Sequence, residues 1–343
     1  MRPSVPEMRS YVDILNAAWE QHLAPRAINA PTVISTFAGC GGSSLGYSMA
    51  GFRELLAVEW DQNAVDTFHL NFPEVPVYHG DIAKLSVGEC LNMTRLKPGE
   101  LDVFDGSPPC QGFSTVGNRQ LEDPRNGLFR EYVRLLRGLM PRVFVMENVS
   151  GMVKGKMKLV FAEIMRELKA SGYRVSARLL DAMYFGVPQT RERMIFIGVR
   201  DDLAIAPSHP MAQLHPIAAS EVFAPILRIR EGWGPTDPVV IALRNDDFAN
   251  KWRSASKPCC TIVRSRAPIA RFKNGSEREL TADECAMFAS FSPGFAWIGT
   301  QAQRVQRIGN SVPPLFMRAI AEHIRMELLP ICDACRATTA GVA

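Results

Sequence analysis

Two periodicities alternate along the first part of the chain. Short runs rich in β-branched and apolar residues lie at 32–37, 55–59, 75–79, 101–105, 143–146, 173–180 and 193–199, and each predicts a strand. Between them, residues 44–50, 63–71, 128–139 and 158–171 repeat apolar positions at helical spacing, and Pro141 and Gly172 stop the last two helices. Strands alternating with helices predict an α/β fold, a doubly wound and mostly parallel sheet. Residues 1–30 carry one helical pattern around 8–22 and are expected to be a peripheral extension. Past Arg200 the alternation stops, and prolines and short strand-like pieces take over. The expected division is an N-terminal extension (1–30), a first, larger domain (31–200), a smaller mixed domain (201–277) and a C-terminal segment (278–343). In that last segment 278–288 is expected to be helical. The amphipathic pattern at 314–328 predicts a helix that packs back on the first domain.

Composition adds little to this, with 47% hydrophobic and 22% charged residues. No apolar run is long enough to cross a bilayer and no signal-peptide pattern opens the chain, so the cytoplasm is the expected compartment. The eight cysteines are scattered, which suits a reduced compartment better than a disulfide framework. Cys332 and Cys335 form a lone pair without further ligands in sight, so no metal site is expected; the pair reads as two small residues in a fraying tail. The net charge of +4 matters less than its placement. From Phe248 to Lys273 stand seven basic residues (Lys251, Arg253, Lys257, Arg264, Arg266, Arg271 and Lys273) and no acid, a local footprint for a polyanion.

The chemistry concentrates where strands end. Gly106-Ser107-Pro108-Pro109-Cys110-Gln111-Gly112-Phe113-Ser114 follows the strand at 101–105 and presents one thiol on a loop stiffened by two prolines. The Gly-rich turn after the first strand, Phe37-Ala38-Gly39-Cys40-Gly41-Gly42, departs from the dinucleotide fingerprint because Ser44 stands at its third glycine. Glu59 ends the next strand twenty residues after Gly39, the spacing at which an acid grips ribose hydroxyls. Trp60 beside it either stacks on a base or belongs to the core. Asp81 ends the third strand and is a candidate acceptor for an exocyclic amine. A turn and two acids suit a neutral or cationic nucleoside better than a triphosphate, and no P-loop is present. Glu147 ends the fifth strand at the same edge as Cys110. A thiolate beside an acid suits attack on an electron-poor ring that is protonated as it is attacked. Arg191 and Arg193 precede the last strand and either steady that acid or form a surface ion-pair cluster.

Taken in order, these pieces resemble the bacterial-type cytosine-carbon-5 DNA methyltransferases of restriction–modification systems. The matching runs are Phe37–Gly42, Glu59-Trp60-Asp61, Gly80-Asp81-Ile82, Pro108–Ser114, Glu147-Asn148-Val149, Gln189-Thr190-Arg191-Glu192-Arg193, Arg278-Glu279-Leu280-Thr281 and Gly309-Asn310-Ser311-Val312-Pro313-Pro314. The resemblance implies a class I S-adenosylmethionine-dependent fold and S-adenosyl-L-methionine as methyl donor. Its site would be formed by Phe37, Gly39, Gly41, Gly42, Glu59, Trp60, Asp81, Ile82, Pro109, Leu128, Asn310 and Val312. It also implies double-stranded DNA as substrate, a flipped-out cytosine, addition of Cys110 to carbon 6, and Glu147 on the ring, with Arg193 orienting Glu147 and Arg191 nearby.

Residues 201–277 would then be the target-recognition domain. Thr261-Ile262 is similar to the family's Thr-Leu dipeptide, with isoleucine for leucine. Ser114, Arg253, Thr261, Arg264 and Arg266 are the candidate DNA contacts, the last two for guanine edges or for phosphates alone. The family further suggests a monomer on DNA and, as a separate chain, a cognate endonuclease. A tRNA cytosine methyltransferase of the same fold tends to carry Phe-Thr where this chain has Phe113-Ser114. A non-catalytic DNA-binding relative would lack the reactive residues, all of which are present. A nicotinamide enzyme would leave Pro-Pro-Cys-Gln unexplained.

Overall fold

The computed structural model describes residues 10–109, 124–153, 157–212, 215–223, 240–245 and 251–333. Seven strands form the main sheet: β1 (Thr32–Thr36), β2 (Arg53–Glu59), β3 (Val77–His79), β4 (Val103–Gly106), β5 (Val143–Val149), β6 (Tyr173–Asp181) and β7 (Glu192–Arg200). Their order is β3-β2-β1-β4-β5-β7-β6. All neighbours pair in parallel except β7, which runs antiparallel to both β5 and β6. The winding reverses between β1 and β4, and such a reversal leaves a crevice at the carboxyl ends of the strands. The Gly-rich turn and the approach to Cys110 follow those ends, Glu59 closes β2, and Glu147, expected to end the fifth strand, lies two residues before its end because β5 runs on to Val149.

The β1 strand is buried at every position, as a central parallel strand covered on both faces must be. Successive residues feed opposite cores: Val33, Val103 and Val143 face one, and Ile34, Phe104 and Phe144 the other. The second core is closed by α5 (Pro124–Leu139) and α6 (Met157–Ala170). The first is covered by α2 (Gly42–Met49), by α3 (Gln62–Asn71), which contributes Phe68, and by helices from both chain ends. Helix α1 (Tyr11–Leu23) is more than a peripheral extension, since Tyr11, Leu15 and Ala18 are buried in this core. At the other end, α9 (Pro314–His323) lies on α2 so closely that a Cβ on Gly46 would stand 2.6 Å from Met317 Cβ and 2.7 Å from the Pro314 carbonyl oxygen. Only glycine admits that approach, and the C-terminal segment thereby joins the first domain's core. Cys332 belongs to the core as well, fully buried rather than fraying, and Arg142 holds its surroundings through the Leu329 carbonyl at 3.0 Å and Asp333 at 2.6 Å. Cys335 lies outside the described residues.

Two helices escape the periodicity: α4 (Val87–Thr94) and α8 (Gln301–Asn310). Helix α4 buries Cys90 alone among its residues, too little for an apolar stripe. Both carry a capping box at the N-terminus, Ser86 with Glu89 and Thr300 with Gln303. The expected helix at 278–288 is a strand followed by a helix. Glu277–Glu279 is β11, and Thr281 caps α7 (Ala282–Phe288) through a box with Glu284. β11 belongs to a small sheet with β8 (Val240–Arg244), β9 (Arg253–Ser254) and β10 (Ile269–Phe272), ordered β11-β10-β8-β9.

Against α2, near the start of β2, sits Glu54. Ser44 Oγ donates to its Oε1 at 2.9 Å, and Oε2 is shut from solvent. Burial pushes this carboxyl up to about 7, against the pull of the Ser35 and Ser44 hydroxyls. Because the folded value exceeds the usual one of 4.5, its stabilisation is complete below about pH 4.5 and is lost as pH rises towards 7. Glu54→Gln, neutral throughout, is therefore expected to unfold at higher denaturant than the parent at pH 8, by about 1–3 kcal/mol. The two should converge below about pH 4.5. A gap that does not change with pH would contradict this reading.

Candidate active site

The carboxyl edge at the β1/β4 reversal is built from local necessities. Phe37 leaves β1 with φ 56°, a left-handed conformation that is costly for a bulky residue, and Gly39 and Gly41 follow at 57° and 96°. A Cβ on Gly41 would stand 2.4 Å from the Phe72 ring, and one on Gly42 2.4 Å from the Val312 carbonyl oxygen. The turn thus needs its glycines for both conformation and space. Glu59, buried at the end of β2, locks it: Oε2 accepts from Gly39 N–H at 2.8 Å, and Oε1 from the Trp60 and Asp61 N–H groups at 2.9 Å. A carboxylate has about four acceptor sites, so hydroxyls can still be met.

Trp60 is 77% exposed, which excludes the core alternative and leaves its ring open for stacking. Asp81 is exposed and accepts from Ala83 N–H at 3.0 Å, while Ile82 is buried beside it. Leu128 is half-buried on α5 against the second core. Asn310 is exposed at the end of α8, and Val312 is buried over Gly42. Arg307 pins α8 to this edge through Asp61 at 2.5 Å, and Cys40 Sγ lies 3.2 Å from Ser311 Oγ.

The approach to Cys110 and Glu147 lies beyond, on β4 and β5. Cys110 and Ser114 fall outside the described residues, but the approach to them is described as far as exposed Pro109. Gly106 closes β4 where a Cβ would stand 2.4 Å from Thr36 Oγ1 and 2.7 Å from the Tyr132 ring. Asn148 Nδ2 donates to the Pro108 carbonyl at 3.0 Å, so β5 holds the entry to the cysteine loop. The preceding residue, Glu147, is buried, and Arg193 Nε meets its Oε1 at 2.6 Å. The pair is shielded rather than a surface ion pair, with the Arg193 side chain 14% exposed.

Arg191 is buried and spends its guanidinium on main-chain carbonyls. Nη1 donates to Ile262 at 3.0 Å, and Nη2 to Gly309 at 2.7 Å and Ser311 at 2.9 Å. Gln189 is its counterpart, accepting from Ile262 N–H at 3.0 Å through Oε1 and donating to the Phe288 carbonyl at 3.3 Å. Asn148 and Gln189 were not among the expected site residues. The signal that could have found Gln189 is the two-residue spacing of Gln189, Arg191 and Arg193.

In the segment past β7, Thr261 Oγ1 donates to the Thr190 carbonyl at 2.5 Å, and Arg253 Nη1 to Thr190 Oγ1 at 3.2 Å. Arg264 is exposed. The basic run is less unopposed than residues 248–273 suggest, because β11 brings acids to it: Arg266 pairs with Glu279 at 2.8 Å and Arg271 with Glu277 at 2.7 Å. Arg271 also stacks on Trp252 at 3.9 Å, with Arg244 over the same ring at 4.7 Å. Among the described residues no group of three His, Cys, Asp or Glu side chains is placed to hold a metal, and no helix is long and apolar enough to cross a membrane.

The arrangement has close relatives. A family model, the C-5 cytosine-specific DNA methylases, matches residues 31–233 and 243–326. The chain is 33% identical to the Type II methyltransferase M1.HphI of Haemophilus parahaemolyticus, over 85% of its own length and 86% of the relative's. It is 32% identical to the Type II methyltransferase M.DdeI of Desulfomicrobium norvegicum, over 85% and 88%. Among solved structures, the S. pombe Dnmt2 methyltransferase superposes with a TM-score of 0.64 at 19% identity, covering 88% of this chain and 99% of that one, a likeness of fold. The site described above therefore sits in a DNA-modifying enzyme, and the chain belongs to the C-5 cytosine-specific DNA methylases.

Proposed function

We propose that the protein carries a methyl group from S-adenosyl-L-methionine to carbon 5 of a cytosine swung out of duplex DNA, through a covalent adduct with Cys110, as the modifying half of a restriction–modification system. The observation that carries this is the Glu147–Arg193 pair at 2.6 Å, beside an entry to the cysteine loop held by Asn148. A stacked base offers no room for attack, which is why the target must leave the helix. Cys110 Sγ forms a bond to carbon 6 while Glu147 holds a proton at ring nitrogen 3, so that the electron pair gathers on carbon 5. Carbon 5 takes the methyl group, a base removes its proton, and the carbon–sulfur bond breaks to return the thiolate.

The donor supplies a methyl on a sulfonium, and the residues at the first three strand ends fit it. Glu59, already fixed by three amides, offers acceptors to ribose hydroxyls. Exposed Trp60 offers a ring face and exposed Asp81 an acceptor for an amine, while the turn from Phe37 to Gly42, with Ile82, Pro109, Leu128, Asn310 and Val312, lines the remainder. Asp81→Asn, which keeps the bond from Ala83, is expected to weaken cofactor binding by roughly tenfold and to leave the melting temperature of the free protein unchanged. Unchanged affinity in calorimetric titration would remove Asp81 from the site.

Residues 201–277 serve as the recognition domain in this reading, with Ser114, Arg253, Thr261, Arg264 and Arg266 towards DNA and an endonuclease as a separate partner. Transfer of labelled methyl groups to mixed-sequence duplex DNA, with bisulfite sequencing of the product and tRNA as a parallel substrate, tests it. Methylcytosine confined to one short DNA motif is the expected result, and label in tRNA alone would overturn it.

A further inference from the structure

Gln189, Arg191 and Arg193 follow one another at two-residue intervals, yet the structure gives them different loads. Gln189 and Arg191 take both main-chain groups of Ile262, its N–H at 3.0 Å and its carbonyl at 3.0 Å. Arg193, two residues on, holds Glu147 at 2.6 Å. The backbones of the two segments also zip together. Cys259 N–H donates to the Pro188 carbonyl at 2.9 Å, Thr190 N–H to the Cys259 carbonyl at 2.9 Å, and Thr261 Oγ1 to the Thr190 carbonyl at 2.5 Å. From the same guanidinium that holds Ile262, Arg191 reaches the Gly309 and Ser311 carbonyls. A Cβ on Gly309 would stand 2.5 Å from Arg264 N, so the backbone of Arg264 rests on that glycine. Thr261 and Ile262 are thus bonded to the segment that leads into β7, the strand that carries the partner of Glu147, while Val263 and Arg264 rest on Gly309 of α8.

We propose that Gln189 and Arg191 are positioning residues that tie the placement of Glu147 to the seating of the Thr261–Arg264 segment, so that correct base reading is converted into reaction rate rather than into DNA affinity alone. The physical ground is stiffness. Buried side-chain bonds to main-chain groups leave little room for independent movement, and only Glu192 separates Arg191, which leads into β7, from Arg193 within it, so a shift at the first is carried to the second. A guanidinium spanning three carbonyls cannot be replaced by the point charge of lysine. The proposal rests on the role given above to Glu147.

The test uses the full chain, the motif found by sequencing, and a duplex with one base pair of that motif changed. Gln189→Met and Arg191→Lys are each measured for DNA affinity and for single-turnover transfer with enzyme in excess. Affinity for the cognate duplex should change by less than roughly threefold, while its transfer rate falls by about tenfold or more, as expected for losing a buried charge-assisted bond. The rate on the altered duplex should fall less, so that the ratio between the two shrinks. Thr261→Val removes one bond while keeping the side chain's shape, and should shift the ratio in the same direction by a smaller factor; it carries the test alone if the other two variants do not fold. An equal fold-loss on both duplexes, or a loss of affinity alone, would overturn the proposal. Glu147→Gln is run alongside. If that variant transfers methyl groups normally, the role of Glu147 has failed; if it is inactive while the three variants discriminate as the parent does, the tie itself has failed.

Discussion

Cys110→Ser is expected to abolish methyl transfer, with a loss on the order of 10⁴-fold or more, while leaving cofactor and DNA binding close to those of the parent. The size follows from the role. A hydroxyl ionises far less readily than a thiol, and without the bond to carbon 6 the ring carbon that must accept the methyl group carries no usable electron pair. The sparing of binding follows from place. The loop leaves β4 at Gly106, which is packed against Thr36 and Tyr132, and its entry at Pro108 is held by Asn148. None of these contacts involves the thiol, so its loss should leave them in position. Single-turnover transfer, cofactor titration and DNA titration on one preparation decide the matter. Retained transfer would sink the covalent route, and lost binding would place the cysteine in the architecture instead.

Glu147→Gln carries the second large effect, a fall in transfer of about 10²–10⁴-fold, the range for removing a positioned proton donor. Glutamine keeps the shape but holds no acidic proton, and it leaves Arg193 without the carboxylate now 2.6 Å away. Both groups are largely shielded from water, so the loss of charge pairing is not simply made up by solvent. The cytosine should still be swung out, because flipping draws on contacts along the DNA rather than on the proton. A fluorescent base analogue at the target position should therefore brighten as with the parent while transfer fails. Normal transfer rates in this variant would contradict the assignment of Glu147 to the ring.

The candidate site residues that the sequence marks are those whose constraints lie within one strand and its following turn. Cys110 is marked by two prolines, and Glu59 by its spacing from Gly39. Glu147 is marked by its position at the end of an apolar run. Such features need only local backbone geometry, and the alternation of strand and helix then brings their carboxyl ends to one edge. The same locality explains the sheet: Val33 and Ile34, like Val103 and Phe104, are apolar on both sides because a central parallel strand is covered on both faces.

What only the tertiary structure decided are the contacts between segments far apart in the chain. Arg191 reaches Ile262 across 71 residues and Ser311 across 120, and no periodicity in either segment announces its partner. Arg271 and Arg266 count as free charge within their own stretch, but β11 pairs with β10 and places Glu277 and Glu279 beside them. Tyr11 and Leu15 read as an extension until α1 is seen to share a core with α2 and the C-terminal helices. Local sequence thus determined the enzyme class and pointed to the strand ends proposed to carry its chemistry. Long-range packing decided which polar groups are already spent on one another, and so which remain for DNA and cofactor, because those partners are chosen by proximity in the folded chain.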